Sequence, residues 1–424
     1  MPRRMVSRRR FLQGTAASVL AAPFVITSTA LGAGGKAPAG DRIGLGFIGM
    51  GLRGNQIMGG FLGPQSECVA VCDVWENRRD AARQRAGGQC AAYRDFRDLL
   101  ARPDVDAVVI ATPEFWHSIL VVAAAQAGKD IYCEKALAIS VAEGRAMCDA
   151  VRRYGRVFQH GTQQRSDANF RFACELVRSG RIGRLRTITA SVPASEAGPL
   201  RQPAPVPKEL DYDLWLGPSP WIPYCGQAGI GHPGWCFRSD YSPGFILTWG
   251  VHHLDIAQWG HGTEIGGPVA LEGRGIFPRN SYDDAVLTWH VECTYADGVK
   301  ILFTSENENP NGVLFEGDEG WVFVTRGGID AGPKSLLKSA LGPGEVHLYR
   351  SSNHAGNFLE CVRTRAATVA PVEVAHRSTT IGLVSSIAVL LRRKLRWDPQ
   401  REVFVNDDEA NRLLTRSLRA PWRV

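Results

Sequence analysis

Several patterns that would assign this chain to a definite class of protein are missing from it. The 424 residues include 10 cysteines, but no Cys-x-x-Cys pair and no Cys/His cluster with zinc spacing, so no metal site is predicted. The body of the chain carries no basic stripe, which argues against a surface that binds nucleic acid. The cysteines are scattered, and we expect most of them to be small buried side chains rather than a disulfide framework.

Acidic residues are absent from residues 1–32, whereas five arginines lie within the first ten positions. These arginines supply most of the net charge of +7, so the charge belongs to the N-terminus rather than to the folded body. Arg8 and Arg9 precede Phe11 and Leu12, and a weakly apolar run follows. This pattern resembles a twin-arginine signal. It predicts a signal peptide over residues 1–32, the twin-arginine export machinery as a partner, and an exported, periplasmic protein. An uncleaved signal would instead tether the protein to the membrane.

The length of the chain favours two domains, and 44% hydrophobic and 21% charged residues are typical of a soluble globular protein. A linker rich in Gly, Ala and Pro is predicted over residues 33–41. Over residues 42–162, short apolar strands alternate with helices, which predicts an α/β Rossmann domain with a doubly wound parallel sheet. Its predicted strands are residues 42–48, 68–72, 105–110, 130–133 and 157–159.

Residues 163–424 have a different pattern, with short strands separated by Gly and Asp turns. This pattern predicts an α+β domain with a large, mainly antiparallel open sheet. We expect this domain to bind substrate and to mediate a homo-oligomer, either a dimer or a tetramer.

A Gly-x-Gly-x-x-Gly fingerprint lies between the first predicted strand and a helix, the context that dinucleotide binding requires. Gly49 permits a tight turn, Gly51 lets the backbone approach a pyrophosphate, and Gly54 allows close packing of helix on strand. The N-terminus of the helix would supply partial positive charge to the phosphates. The residues predicted to bind the cofactor in this loop are Gly49, Met50, Gly51, Leu52, Arg53 and Gly54.

Asp73 ends the second predicted strand, where a carboxylate can accept hydrogen bonds from the adenosine ribose. Its charge would repel a 2′-phosphate, so NAD is favoured over NADP. Arg78 and Arg79, one turn into the next helix, leave some room for NADP. A Gly-rich turn with a helix-capping Asp is the alternative interpretation.

Lys135 follows a predicted strand, at the edge of the sheet where open α/β folds bind ligands. A surface lysine paired with Glu134 is the alternative. His252 and His253 are adjacent, so on a helix they point about 100° apart and only one can face a cofactor. Asp255 lies on the same helical face as His252 and could orient its imidazole.

Several separated motifs follow one another along the chain: the fingerprint, Ala111–Pro113 with His117, Tyr132–Lys135, Gly161–Arg165 and Trp249–Trp259. In this order they resemble the glucose–fructose oxidoreductase / inositol dehydrogenase / rhizopine-catabolism (Gfo/Idh/MocA) family, in its exported twin-arginine branch. The resemblance covers essentially the whole chain after the signal.

The resemblance implies a nicotinamide-dependent oxidoreductase and a role for each matched position. Lys135 would contact the reacting hydroxyl, and His252 would be the general acid–base. Thr112, Pro113 and His117 would line the nicotinamide half of the cofactor pocket, beside Glu134, while Gln163 and Arg165 would face substrate.

Two residues depart from the family pattern. The family usually has Pro after the lysine, and this chain has Ala136, which lacks the locked φ angle of proline. The family also usually has Asp four residues before the histidine, and this chain has Thr248. A threonine can hydrogen-bond substrate but cannot hold a protonated histidine by charge, so Thr248 is a further candidate catalytic residue.

Tryptophans crowd the region that leads to the histidines, and their faces suit the C–H surfaces of a sugar. Core aromatics under a long loop are the alternative. Arg238 could bind hydroxyls or pair with Asp240. The further candidate substrate residues are Trp235, Arg238, Trp249 and His253.

These observations predict hydride transfer between NAD and a secondary hydroxyl of a sugar, glycoside or cyclitol, with tightly bound cofactor that is recycled. A non-catalytic protein that binds a sugar or a partner on a Rossmann scaffold is the alternative, and Ala136 and Thr248 are its best support.

Overall fold

The predicted signal peptide, residues 1–32, and most of the linker predicted over 33–41 lie outside the residues that the structure describes. The structure is a computed structural model. The residues it describes are 38–87, 89–305 and 309–424.

The described chain divides into two compact units. One contains the described residues up to Arg42 together with Gly63–Gln65, and Ala39–Asp41 forms a single 3-10 turn in it. The other contains residues 43–62 and 66–424. Both β-sheets and all of the site residues lie in this second unit.

The first sheet has six strands, all parallel, in the order β3-β2-β1-β4-β5-β6. The order reverses at β1, which is the doubly wound arrangement expected from the sequence. Every residue of β1 is buried, as in a central parallel strand covered on both faces. The strands are β1 (Ile43–Ile48), β2 (Ser66–Cys72), β3 (Ala91–Tyr93), β4 (Ala107–Ile110), β5 (Asp130–Cys133) and β6 (Phe158–His160).

Helices connect these strands, and their ends follow from local chemistry. Ser140 caps the N-terminus of the helix that follows β5. Its hydroxyl oxygen accepts the Glu143 N–H, and its O–H donates to the Glu143 carboxylate, so the two residues cap the helix reciprocally. The helices are α1 (Leu52–Phe61), α2 (Glu76–Ala86), α3 (Phe96–Leu100), α4 (His117–Gln126) and α5 (Val141–Arg153).

The second sheet has nine strands in the order β13-β12-β11-β7-β10-β9-β8-β14-β15. Only the β7–β10 pair is parallel among these described strands, so the expectation of a mainly antiparallel sheet is confirmed. The strands are β7 (Leu185–Val192), β8 (Ala270–Ile276), β9 (Thr288–Thr294), β10 (Lys300–Ser305), β11 (Gly312–Gly317), β12 (Trp321–Thr325), β13 (Gly328–Gly332), β14 (Leu395–Asp398) and β15 (Val403–Phe404).

The remaining helices follow β6 or connect the strands of the second sheet. They are α6 (Ala168–Arg178), α7 (Tyr212–Leu216), α8 (Gln227–Ile230), α9 (Phe245–Thr248), α10 (Gly250–His261), α11 (His354–Thr364), α12 (Val372–Leu391) and α13 (Asp408–Arg412). Single 3-10 turns occur at Glu114–Trp116, Gln163–Ser166, Gly234–Phe237 and Lys334–Lys338.

Helix α12 packs on β8 and explains two glycines in that strand. A Cβ on Gly273 or Gly275 would lie 3.1 Å or 2.7 Å from the Val389 side chain, so a larger residue would push the helix away. The helix is long and apolar enough to cross a membrane by length and composition, but 72% of its most apolar window is buried inside the protein. We therefore interpret it as a core helix.

Candidate active site

A cavity of about 930 Å³ lies at the carboxyl end of the parallel sheet, where open α/β sheets bind ligands. Residues at or just after the carboxyl ends of β1, β2, β4 and β5 line it, together with residues of the Trp-rich segment (residues 199–250), which includes α9, of α10 and of the β12–β13 turn. The predicted site residues that line it are Gly49, Gly51, Leu52, Arg53, Asp73, Thr112, Pro113, Glu134, Lys135, Gln163, Trp235, Thr248, Trp249 and His252.

The glycine loop between β1 and α1 has the predicted geometry. Gly49 has φ +88°, and a Cβ there would lie 2.8 Å from the Thr112 nitrogen, so only glycine fits. A Cβ on Gly54 would lie 2.1 Å from the Gly49 oxygen, which shows how closely α1 approaches the strand. Met50 and Gly54 are buried and do not line the cavity, so their listing as cofactor-binding residues is corrected, whereas Gly54 has the helix-packing role expected from the sequence.

Asp73 lines the cavity and also ties the glycine loop to β2. Its carboxylate accepts the Met50 N–H at 2.6 Å and the Trp75 N–H at 2.8 Å. Burial raises the pKa of Asp73, while these two hydrogen bonds and the charges of Arg78 and Arg79 oppose the rise. Each carboxylate oxygen keeps a second lone pair, so Asp73 can accept a ribose hydroxyl as well as brace the loop.

Lys135 follows β5 and lines the cavity, and its ammonium group makes no ion pair with the described residues. The neighbouring Glu134 is 3% exposed, and its carboxylate accepts from Arg53 and Gln163, each at 2.9 Å. The alternative interpretation, a surface pair between Lys135 and Glu134, is therefore not supported by these contacts, because Glu134 is held by other partners. The peptide bond between Lys135 and Ala136 is cis.

The two adjacent histidines of α10 point in different directions, as predicted. His252 lines the cavity, and its Nδ1 has no hydrogen-bond partner among the described residues. His253 turns away, and its Nδ1 lies 2.7 Å from the Ser191 carbonyl oxygen. The expectation that His253 binds substrate is therefore corrected, because its ring is buried against β7.

His252 is only 3% exposed, and its electrostatic surroundings keep it neutral. Burial, then the positive charges of Lys135 and Arg326, lower the pKa of His252 well below its usual value. A neutral imidazole near neutral pH can accept a proton. Asp255 does not orient it, since that carboxylate pairs with Arg165 instead.

Two residues predicted to bind substrate have structural partners and do not line the cavity. Arg165 is 2% exposed and pairs with Asp255 at 2.6 Å and with Glu264 at 2.8 Å, so it does not face substrate. Arg238 pairs with Asp240 at 3.2 Å. Burial and pairing therefore correct both substrate assignments.

His117 is fully buried behind the cavity wall rather than in it. Its Nδ1 lies 2.7 Å from the Ala136 carbonyl oxygen and its Nε2 lies 3.1 Å from the Thr112 carbonyl oxygen. It therefore braces the turns after β4 and β5. This corrects the expectation that His117 lines the nicotinamide pocket.

Sequence reasoning missed four charged or titratable residues of the cavity wall, Arg94, Asp167, His232 and Arg326. The Arg326 guanidinium lies 4.4 Å from the centre of the Trp249 ring, which it covers. It comes from the β12–β13 turn, and nothing in the local sequence connects that turn with His252.

The fold and this cavity define a Rossmann-type dinucleotide-binding protein in which the glycine loop and His252 line the same cavity. A family model described as "Oxidoreductase family, NAD-binding Rossmann fold" matches residues 43–162, and one described as "Oxidoreductase family, C-terminal alpha/beta domain" matches residues 198–424. The chain belongs to the Gfo/Idh/MocA oxidoreductase family, which confirms the predicted family and the predicted NAD-binding class of the Rossmann domain.

Two curated relatives are inositol dehydrogenases. The chain is 33% identical over 143 residues to the myo-inositol 2-dehydrogenase of Thermotoga maritima, an alignment that covers 34% of this chain and 40% of that protein. It is 25% identical over 268 residues to the scyllo-inositol 2-dehydrogenase (NAD(+)) of Bacillus subtilis, covering 62% and 67%. The chain thus spans only about two fifths of the length of the first of these relatives.

Solved structures share the fold at low identity. The WlbA dehydrogenase from Bordetella pertussis, in complex with NADH and UDP-GlcNAcA, has a TM-score of 0.64 and 18% identity, covering 84% of this chain and 99% of that one. The aldose-aldose oxidoreductase from Caulobacter crescentus, complexed with glycerol, has a TM-score of 0.64 and 19% identity over the same shares.

Proposed function

We propose that the protein transfers hydride between NAD and a secondary hydroxyl of a sugar, glycoside or cyclitol. The observation that carries the proposal is that Lys135, Thr248 and the neutral His252 line the same cavity as the glycine loop. A neutral imidazole in the cavity that the glycine loop lines supports a proton acceptor close to a bound nicotinamide.

The residues present suit NAD. The glycine loop leaves room for a pyrophosphate at the N-terminus of α1, and Asp73 is placed for the adenosine ribose. Bound NAD supplies the hydride acceptor. Lys135 holds the reacting hydroxyl oxygen, and the neutral His252 imidazole takes its proton. Thr248 offers a hydroxyl to the substrate.

A cyclitol or sugar suits the far side of the cavity. Trp235 and Trp249 line it and present ring surface to C–H faces, while Gln163 supplies a polar contact. Two relatives are named for inositol and one structural neighbour for aldoses, which supports the same class of substrate.

The experiment combines cofactor analysis with a substrate panel. The purified protein is tested for bound NAD by ultraviolet and mass spectrometry, then mixed with cyclitols, sugars and glycosides while reduction of the nicotinamide is followed. We expect at least one polyol to reduce the cofactor. If bound NAD can be reduced chemically but no polyol reacts, the non-catalytic binding protein replaces this proposal.

We propose further that the protein belongs to the exported twin-arginine branch, lies in the periplasm, and carries its cofactor out in the bound state to be recycled there. The Arg8–Arg9 pair followed by Phe11 and Leu12 supports export by a route that carries folded proteins. Replacing Arg8 and Arg9 by Lys should keep the protein in the cytoplasm. Unchanged periplasmic yield on cell fractionation would contradict export by this route.

We also propose that the protein forms a homo-oligomer, either a dimer or a tetramer, and that its two domains meet at residues 162/163. The second sheet supports the oligomer, since β7, β11, β12 and β13 form an open groove of about 340 Å³ that includes Trp321 and Phe323. Light scattering on the purified protein tests it, and a monomer at working concentration would contradict it.

A further inference from the structure

Glu114 is a buried carboxylate beside the cavity that the proposed reaction does not use. It begins the 3-10 turn after Pro113 and is 1% exposed. One carboxylate oxygen accepts the Ala136 N–H at 3.0 Å, and the other accepts the Ser242 hydroxyl at 2.8 Å. The side chain thus joins the turn that carries Lys135 to the Trp-rich segment.

The charge of Glu114 is placed to act on the same turn. Burial raises the pKa of Glu114, and the strongest opposing influence is the positive charge of Lys135, ahead of the two hydrogen bonds. The carboxylate therefore lies close enough to Lys135 for their charges to interact, although it contacts the neighbouring backbone rather than the ammonium group.

The hydrogen bond to Ala136 exists because residue 136 is not proline. Proline has no N–H, so at this position it would leave the Glu114 carboxylate without one of its two donors. Ala136 lacks the locked φ angle of proline, but unlike proline it has a backbone N–H. Glu114 accepts a hydrogen bond from that N–H.

We propose that Glu114 is a positioning residue for Lys135, and that its hydrogen bond to the Ala136 N–H holds the lysine turn in the place of a proline ring. The inference rests on the proposed function, since it concerns the lysine of the proposed reaction. It adds a residue that acts through the backbone of residue 136.

The test compares Glu114→Ala with Glu114→Gln. Alanine removes the acceptor, whereas the glutamine amide oxygen can still accept the Ala136 N–H. We expect Glu114→Ala to lower kcat about tenfold or more, because small displacements of a reacting group are costly. Glu114→Gln should keep most of kcat, and the Kd for NAD should change little in both variants. Equal loss of kcat in both variants would overturn the proposal.

The same pair of substitutions in an Ala136→Pro background isolates the hydrogen bond. Without the N–H, Glu114→Ala has less to remove, so its effect on kcat should shrink to about threefold or less. An effect as large as in the Ala136 background would show that Glu114 acts by another route. Ser242→Ala, a milder change that keeps the carboxylate, should lower kcat by less than Glu114→Ala.

Hydrogen exchange tests the same inference without any substrate. Loss of the acceptor should speed exchange of the Ala136 amide in Glu114→Ala but not in Glu175→Gln. Glu175 is a matched control, since it is also 1% exposed and accepts the Leu348 N–H at 3.0 Å, far from Lys135 in sequence. Unchanged exchange at Ala136 would overturn the positioning role, whereas inactivity of the unsubstituted protein would count only against the proposed function.

A second observation, independent of the active site, concerns two thiols. The Sγ atom of Cys68, in β2, lies 3.4 Å from the Sγ atom of Cys90, the residue just before the neighbouring parallel strand β3. The hydrogen bond from Cys68, followed by the charges of Arg102 and Arg83, lowers the pKa of Cys90. Cys90 is therefore the thiol of the pair that ionises more readily.

We propose that Cys68 and Cys90 form a disulfide when they meet a disulfide oxidant such as oxidised glutathione. The Cys90 thiolate attacks the glutathione disulfide and releases one glutathione. The Cys68 thiolate then attacks the mixed disulfide, the Sγ–Sγ bond forms and a second glutathione leaves. The two cysteines are oxidised, the oxidant is reduced to two thiols, and the two protons pass to the released thiolates.

The test is peptide mapping after incubation with oxidised glutathione, with and without reductant. We expect a linked Cys68–Cys90 peptide and a melting temperature a few degrees above that of the reduced protein, because the bond closes a chain segment. Cys68→Ser should abolish the rise, and Cys225→Ser, a matched control at a partly exposed cysteine, should not. Free thiols at both positions under these conditions would overturn the proposal.

Discussion

Lys135 and His252 face one cavity, and after burial it is the positive charge of Lys135 that contributes most to lowering the pKa of His252. The His252 imidazole is therefore kept neutral, and able to accept a proton, beside the Lys135 cation. This pairing favours a reaction in which a hydroxyl loses its proton to the imidazole while the ammonium group stabilises the oxygen.

Removing either member of this pair should slow hydride transfer. We expect Lys135→Met and His252→Ala each to lower kcat about 10²-fold or more, the usual share of a positioned acid–base group. Their combined loss should be smaller than the product of the single losses, because both serve one proton path. Steady-state and single-turnover kinetics measure this. His253→Ala is the control, and an equal loss in that variant would contradict the assignment of His252.

Asp73→Ala should weaken NAD binding by about 1.5–3 kcal/mol, the cost of losing a charged hydrogen bond, and should relax discrimination against NADP. Calorimetry with both cofactors measures this. Asp106→Ala is a matched control, since Asp106 also accepts a backbone N–H, that of Gly44 at 2.7 Å, at the opposite end of β1. Unchanged affinities in Asp73→Ala would limit Asp73 to bracing the loop.

Arg165→Met should damage stability rather than substrate binding. The change leaves Asp255 buried without its cation, which costs about 3–5 kcal/mol. Arg186→Met is the control, since its exposed pair with Asp318 contributes only about 0–1 kcal/mol. Urea unfolding and KM are both measured. A raised KM with normal stability would restore the sequence-based assignment of Arg165 to substrate.

Acid should destabilise the protein through its buried histidines. Burial lowers the pKa of His253 and of His354 to about 4, against 6.5 for an exposed histidine. Between these values the unfolded chain binds protons that the folded chain excludes, so the free energy of unfolding falls as pH falls through this window.

Urea unfolding at several pH values measures the effect. Each such histidine contributes a slope of up to about 1.4 kcal/mol per pH unit. His354→Gln should make the slope shallower, whereas His347→Gln, at an exposed position, should not. Stability that is constant from pH 6.5 to about 4 would contradict this account.

Local patterns predicted the elements whose burial is uniform along the strand. Asp130–Cys133, which is buried at every position, has the predicted bounds. Strand β8 was not predicted, because Gly273 and Gly275 weaken its strand pattern. These glycines leave room for α12, which packs on them from more than 100 residues further along the chain.

The parts of the site that a single short segment of sequence defines could be predicted. The glycine loop and the end of β2 could be found from spacing alone, and His252 and Thr248 came from the family resemblance. Arg165 was misassigned because the family resemblance implied that it faces substrate, whereas in this chain it pairs with Asp255, 90 residues away. Arg326 gave no signal, since only the folded β12–β13 hairpin brings it to Trp249.

The most direct test of the central claim is a single turnover of the protein with its bound NAD. The near-ultraviolet absorbance of reduced nicotinamide is followed after mixing with each cyclitol or sugar, beside the His252→Ala variant. The account predicts that one polyol reduces the bound cofactor rapidly in the unsubstituted protein and at least about 10²-fold more slowly in the variant. Equal rates in the two proteins, or no reduction by any polyol while the cofactor remains chemically reducible, would contradict it.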